Sequence, residues 1–211
     1  MTTLPNIGLI GRLRSGKDTA ADYLASKYGY SRFAFGDELK RYYHELFGET
    51  DAKPREGYQW FGQAIRERDP DVWVRKCLDR IAKTAKIHAL NSWAFHDKDG
   101  NVLAQYKSPA GYAITDVRQP NEYGALKRSN YVLIRVEAPE ALRIQRAVSS
   151  GDRFNLRDLA HGTETALDDY AADFTVTNDA GLSELYAQID DIIDSLRSPD
   201  KSAFLGGDWP E

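Results

Sequence analysis

The feature that most constrains this chain is a glycine-bounded loop near its amino terminus. Residues 11–18 read Gly-Arg-Leu-Arg-Ser-Gly-Lys-Asp, which is the spacing G-x-x-x-x-G-K. An apolar run over 5–10 precedes the loop and a run with helical spacing over 16–28 follows it, which is the strand–loop–helix context that this motif requires. Glycine at both ends lets successive N–H groups point at one anion, and the helix start adds the positive end of its dipole. We therefore predict a phosphate-binding loop in which Lys17 reaches the β- and γ-phosphates of a nucleotide.

One position of the loop departs from the usual motif. Asp18 stands where Ser or Thr normally ligates magnesium, and Thr19 follows it. Asp18 could hold Mg²⁺ through a water, orient an acceptor phosphate, or cap the helix. We favour a catalytic or metal-linked role over capping, and the first two alternatives stay open.

The rest of the chain alternates between strand and helix patterns. The predicted strands after the first are 31–35, 112–115, 131–136 and 174–177, and the predicted helices after the first are 37–47, 58–68, 72–90, 139–148 and 182–196. Asp99-Gly100 between two apolar runs predicts an inserted β-hairpin over 92–108. The alternation predicts an α/β fold with a parallel sheet covered by helices on both faces. We expect a single domain over 1–197, with a helical lid at about 149–162 and a C-terminal tail over 198–211.

Composition excludes several classes of protein. The formal net charge of the 211 residues is -4, which argues against a broad nucleic-acid surface. The single cysteine rules out a disulfide framework and a cysteine-based zinc site. No apolar run approaches the ~18 residues that a membrane span needs, and the amino terminus lacks the features of a signal peptide.

Polar side chains follow the predicted strands, at the edge where parallel sheets bind ligands. Asp37 could bind a sugar hydroxyl or a base, or could cap the next helix, and we weigh these two alternatives equally. Asp116 ends another strand, where an aspartate commonly organises magnesium. The guanidinium of Arg118 can donate two parallel hydrogen bonds to a phosphate. The alternative for these last two is a surface ion pair, which would be worth little energetically; we favour the functional interpretation.

Two further groups of side chains suit phosphoryl transfer, in which cations stabilise the charge on the transferred group. They are Gln63, Arg66 and Arg68 at one helix end, and Arg143, Arg146 and Arg153 on and after a later helix. The segment 149–152 is a plausible hinge for an arginine-bearing lid that closes over the nucleotide. We favour Arg146 and Arg153 over Arg143.

These segments together resemble the bacteriophage and bacterial deoxynucleoside monophosphate kinases, in the P-loop nucleoside-monophosphate-kinase-like superfamily. The similar segments, in the same order, are 11–24, 33–40, 59–74, 116–122 and 161–178. Lys-Asp-Thr is usual in the phosphate loop of that family, so Asp18 is no anomaly there. The hairpin and the tail lie outside the resemblance.

The resemblance implies transfer of the γ-phosphate of ATP to a deoxynucleoside 5′-monophosphate, with Mg²⁺. The implied ATP-binding residues are Gly11, Arg14, Ser15, Gly16, Lys17, Asp18 and Thr19. Those implied for magnesium are Asp18, Thr19 and Asp116. Those implied for the acceptor are Asp37, Lys40, Arg66, Asp116 and Arg118. The implied catalytic set is Lys17, Asp18, Arg118, Arg146 and Arg153. His161 and Glu164 could latch the lid or cap the following helix.

Three other functions compete with this interpretation. One is a different small-molecule P-loop kinase, of the dephospho-coenzyme A kinase or phosphomevalonate kinase type. Another is a nucleotide-binding module without an acceptor, and the third is a nucleic-acid-processing protein, which the acidic composition disfavours. We expect a cytoplasmic protein (host cytoplasm if phage-encoded) without nucleic-acid or membrane partners. Because aromatic residues exposed on a strand often pack against a partner, Trp93 and Tyr106 of the hairpin favour a homodimer.

Overall fold

A computed structural model describes residues 4–49, 54–91, 93–99, 102–106, 108–150 and 165–197. The described strands are β1 (Ile7–Ile10), β2 (Ser31–Phe33), β3 (Ala94–His96), β4 (Val102–Gln105), β5 (Tyr112–Val117), β6 (Val132–Glu137) and β7 (Phe174–Thr177). The described helices are α1 (Lys17–Tyr28), α2 (Phe35–Phe47), α3 (Arg55–Arg68), α4 (Val72–Leu90), α5 (Pro120–Arg128), α6 (Glu140–Ser149) and α7 (Leu182–Arg197). None of these helices has the length and apolar character that a membrane crossing requires.

Five strands form one parallel sheet in the order β2-β5-β1-β6-β7. The central strand β1 is buried along its whole length, because strands flank it on both sides and helices cover both faces of the sheet. The predicted α/β fold is confirmed. The phosphate loop therefore leaves the sheet from its most enclosed strand.

Each face of the sheet has its own apolar core. On one face, Ile7 and Leu9 pack with α1 and α7. The buried residues of α7 are Leu185, Ile189, Ile192 and Ile193, and their spacing of three and four places them on one stripe of the helix. On the other face, Ile10 packs with α4 and α5.

A third, smaller cluster joins the helices that follow β2. Leu39 of α2, Phe61 of α3 and Trp73 of α4 are buried together. This cluster packs α2, α3 and α4 against one another.

The inserted hairpin is confirmed as the antiparallel pair β3–β4; Gly100 of its predicted turn lies outside the described residues. His88 near the end of α4 is hydrogen-bonded to the hydroxyl of Tyr106 and stacks against its ring. Trp93 and Phe95 are 46% and 63% exposed, so the hairpin stands away from both cores.

The sequence prediction was wrong around the motif at 116–122. β5 extends to Val117, so Asp116 lies within the strand and not after it. A helix that we did not predict, α5, begins at Pro120. Gln119 and Glu122 have the spacing of a capping box, and proline suits the first helical position, so the signal for this helix was present.

The prediction was also wrong at the start of α2. The helix begins at Phe35, and Asp37 lies inside its first turn, so the alternative that Asp37 caps this helix is excluded. The carboxylate of Asp116 takes that role from another strand: it accepts the N–H of Phe35 at 2.7 Å and the N–H of Gly36 at 2.9 Å.

Candidate functional site

The loop between β1 and α1 has the backbone that the glycine spacing predicts. Gly11, Arg14 and Gly16 have φ values of 151°, 61° and 108°. A Cβ on Gly16 would lie 2.0 Å from Nδ2 of Asn178, so a side chain there meets both backbone strain and a clash. Ser15 Oγ is buried and has no hydrogen-bond partner among the described residues. A buried hydroxyl in that state is suited to an anionic ligand.

Lys17 lies over this loop. Its side chain is buried, and Nζ donates to the carbonyl oxygens of Gly11 and of Arg12, the second at 2.9 Å. The ammonium group is thus held over the residues whose N–H groups would face a phosphate. The contact between Lys17 and the phosphates of a nucleotide stays a prediction.

Two elements hold the loop from outside. Asn178, after β7, donates to Ser15 O at 2.8 Å, and Arg146 of α6 donates to Asn178 Oδ1 at 3.1 Å and to Arg14 O at 3.4 Å. The buried Arg143 also donates to Leu13 O, at 3.4 Å. Arg146 thus contacts the loop backbone directly. Arg153, His161 and Glu164 lie outside the described residues, as does most of the predicted lid.

An open cavity of about 510 Å³ lies beside the loop, between the end of β6 and the start of α6. Arg12 and Arg143 line it. Arg12 Nε donates to Asp168 Oδ1 at 3.2 Å, and a second contact joins the same two side chains. This pair ties the loop to the chain that follows the undescribed segment 151–164.

The carboxyl edge next to the loop gathers the predicted acceptor residues. Burial raises the pKa of Asp116, while the N–H groups of Gly36 and Phe35 and the charge of Arg118 oppose the rise. Nζ of Lys40 donates to Oδ1 of Asp37 at 3.1 Å. A Cβ added to Gly36 would lie 4.0 Å from Nζ of Lys40 and 3.3 Å from Oδ2 of Asp116, so these two groups flank the same backbone position. Cationic side chains therefore lie close to Asp116.

Arg118 is positioned by a buried carboxylate that the sequence analysis did not assign. Oε2 of Glu122 accepts the N–H of Arg118 at 2.7 Å and the N–H of Gln119 at 3.0 Å. Burial raises the pKa of Glu122 to about 7, which the charge of Arg66 partly opposes. Glu122 thus holds the backbone of Arg118 and lies within electrostatic reach of Arg66.

We predict that the free energy of unfolding depends on pH through the side chain of Glu122. The pKa of Glu122 rises from 4.5 to about 7 on folding. The favourable contribution of the protonated side chain to the free energy of unfolding is therefore complete below pH 4.5 and is lost as the pH rises through 7. Glu122→Gln keeps an oxygen acceptor without the charge. We expect urea denaturation to show a free energy of unfolding higher than wild type by on the order of 2–3 kcal/mol at about pH 8.5, and no such gain at about pH 5. The exposed Glu140→Gln is the matched control. A gain of equal size at both pH values would contradict the prediction.

The magnesium residues do not form a preformed cage. No group of three or more His, Cys, Asp or Glu side chains suited to a metal occurs in the described part of the chain. Asp18 is exposed at the start of α1 and pairs with Arg32 at 3.1 Å. Mg²⁺ at nucleotide sites usually takes one or two carboxylates, waters and substrate phosphates. The exposed carboxylate of Asp18 beside the loop fits such a sparse donor set, whereas both oxygens of Asp116 already accept backbone N–H groups at the start of α2.

Some residues that support the site lie in the resembling segment 161–178 but received no individual role from the sequence. Asn178 follows a parallel strand, so the rule that pointed to Asp37 and Asp116 could also have found it. The pairing of Arg12 with Asp168 spans 156 positions and leaves no local signal.

The fold has solved counterparts. TT1252 from Thermus thermophilus superposes with a TM-score of 0.57 at 18% identity, over 92% of this chain and 99% of that one. A sugar kinase from Janibacter sp. HTCC2649 superposes with a TM-score of 0.53 at 12% identity, again over 92% and 99%. Fold and loop together define a P-loop protein of the kinase fold class.

A protein of similar sequence indicates which kind of kinase this chain resembles. A protein of Acanthamoeba polyphaga mimivirus named "Putative deoxynucleotide monophosphate kinase" is 29% identical over 205 residues, which cover 90% of this chain and 96% of that protein. The predicted resemblance to the deoxynucleoside monophosphate kinases is confirmed. No protein-family model matches the chain. These relationships support a phosphotransferase of the kinase type.

Proposed function

We propose that this protein transfers the γ-phosphate of ATP to a deoxynucleoside 5′-monophosphate, giving the diphosphate and ADP. The observation that carries the proposal is the pairing of two sites on neighbouring strands. One is the phosphate loop after β1, and the other is the edge after β5, where Arg118 and Lys40 of α2 lie near Asp116. A phosphate donor and a phosphate-bearing acceptor would each find a site there. The relative named as a deoxynucleotide monophosphate kinase supports the choice of acceptor.

On the donor side, the loop N–H groups and Lys17 would bind the β- and γ-phosphates of ATP. Arg14, Ser15 and Gly16 shape the loop, and Arg146 would act at the loop that it contacts. Asp18 and Thr19 would hold Mg²⁺, which supplies charge neutralisation at the phosphates when bound. Arg153 is proposed on the resemblance alone.

On the acceptor side, Arg118 and Arg66 would bind the monophosphate, with Lys40 next to them. Asp37 would contact the nucleoside. The attacking phosphate oxygen is already anionic at neutral pH, so the reaction needs positioning and cationic stabilisation and no strong base. This requirement agrees with a site built from arginines and lysines.

A coupled ADP assay with Mg²⁺ and each common deoxynucleoside monophosphate tests the proposal. We expect ADP release that depends on the acceptor and runs well above the rate with ATP alone. Dephospho-coenzyme A and mevalonate phosphate serve as competing acceptors. ATP turnover that no monophosphate changes would indicate a module without an acceptor, and turnover with only a competing acceptor would indicate a different kinase.

A further inference from the structure

A narrow gap of about 10 Å³ lies between the phosphate loop and the end of β5. Gly11 lines it from the loop, Arg118 from the end of β5, and Asp168 from the segment before β7. The gap has room for at most one water, so it is no site for a substrate. We propose that Asp168 is a positioning residue for phosphoryl transfer, which holds the phosphate loop in place relative to the acceptor edge by means of Arg12. The inference rests on the proposed function, because these two parts would carry the donor and the acceptor of that reaction.

The chain on both sides of Asp168 is fixed to the sheet. Leu167 is buried in the same apolar core as Val117 of β5. Arg135 of β6 donates to the carbonyl oxygen of Leu167 at 2.9 Å and also to that of Tyr170. The backbone of Asp168 is therefore held between two anchored positions.

The helix that follows Arg118 holds the same segment. The hydroxyl of Tyr123 of α5 donates to the carbonyl oxygen of Ala171 at 2.9 Å. The carboxylate of Glu122, also on α5, accepts the backbone N–H of Arg118 at 2.7 Å. One helix thus connects the backbone of Arg118 to the segment that carries Asp168.

Arg12 connects Asp168 to the phosphate loop. Its Nε donates to Oδ1 of Asp168 at 3.2 Å, and its Nη2 donates to Oδ2. Two bonds of this kind fix the direction of the guanidinium as well as its distance. The backbone carbonyl oxygen of Arg12 accepts Nζ of Lys17 at 2.9 Å. A shift of Arg12 would therefore also move the ammonium group that is proposed to meet the phosphates of ATP.

The contacts of Asp168 suit positioning better than binding. Both of its carboxylate oxygens already accept hydrogen bonds from Arg12, and its negative charge would repel the phosphates of either substrate. The side chains of Arg12 and Asp168 are 40% and 33% exposed, so their ion pair contributes little to stability. Loss of the pair should therefore change the geometry of the reaction without unfolding the protein.

Asp168→Asn tests this role, because it removes the charge and replaces one acceptor oxygen by an amide NH₂ group. A misplacement of about 1 Å can cost about 10²-fold in rate, so we expect kcat to fall by about 10- to 100-fold while the KM values for ATP and for the deoxynucleoside monophosphate each change by less than about threefold. Steady-state kinetics in the coupled ADP assay measures all three quantities.

Asp169→Asn is the matched control. Asp169 is exposed beside Asp168, and it makes no hydrogen bond or ion pair with another residue in the described part of the chain. This variant should keep the wild-type kcat. Thermal melts of each variant confirm that the fold is retained.

A double-mutant cycle shows whether Asp168 acts through Arg12. Arg12→Ala should lower kcat at least as much as Asp168→Asn does. Adding Asp168→Asn to Arg12→Ala should then lower kcat no further. If Asp168 acted independently of Arg12, the loss in the double variant would be the product of the two single losses.

The outcomes separate this inference from the proposed function. If wild type phosphorylates a deoxynucleoside monophosphate, the inference alone is overturned by an unchanged kcat in folded Asp168→Asn, with or without a higher KM for ATP. An equal loss in Asp169→Asn, or a multiplicative loss in the double variant, overturns it as well. If wild type phosphorylates no deoxynucleoside monophosphate, the proposed function and this inference fail together.

Discussion

Replacement of Lys17 by alanine is expected to lower phosphoryl transfer by about 10²–10³-fold or more, with only a small loss of stability. The ammonium group is held over the phosphate loop by two carbonyl oxygens, those of Gly11 and Arg12. Its charge would meet the negative charge that develops on the transferred phosphate. Removing the side chain costs two hydrogen bonds, or about 1–3 kcal/mol of unfolding free energy. Turnover with ATP and a saturating acceptor, together with urea denaturation, measures both quantities.

Lys83→Ala is the matched control, because this lysine is exposed on α4. It should keep wild-type turnover. Near wild-type activity in a folded Lys17→Ala protein would remove the phosphate-loop argument.

The second large effect is expected for Arg118→Ala, which should lower kcat/KM for the acceptor by about 10²-fold while the KM for ATP changes little. Arg118 follows β5, and its backbone is fixed by the buried Glu122. A guanidinium in that position would bind the acceptor phosphate with two parallel bonds. Steady-state kinetics with each substrate varied in turn distinguishes the two KM values.

Arg128→Ala removes the same charge from an exposed position at the end of α5, the helix that follows Arg118 in the chain. It should leave both KM values unchanged. An Arg118→Ala protein with wild-type acceptor KM and turnover would show that Arg118 has a structural role.

The part of the site that is local in sequence could be predicted. The glycine spacing of 11–18 fixes a loop between a strand and a helix, because those backbone angles and that context rarely coincide otherwise. The carboxyl-edge rule brought Asp37, Asp116 and Arg118 to the same edge for a similar reason. Both inferences depend on neighbours along the chain or on the polarity of strands.

The partners of these residues could not be predicted. The carboxylate of Asp116 caps α2 from 81 positions away, and Arg32 pairs with Asp18 only because β2 ends beside the start of α1. Such contacts depend on the tertiary arrangement, which composition and periodicity do not encode locally. Glu122 was likewise treated as part of a motif, although in the fold it is a buried residue of α5 whose carboxylate accepts the backbone N–H of Arg118.

The hairpin β3–β4 is a suitable position for attaching a label or a solid support to the protein. It lies between α4 and β5, at the amino edge of the sheet, and α4 is about 28 Å long. The chain has a single cysteine, Cys77, which is buried and whose thiol pKa is raised by burial. A cysteine introduced on the hairpin would therefore react selectively with a maleimide. Dyes or solid supports could then be attached there while the carboxyl edge of the sheet stays in contact with solution.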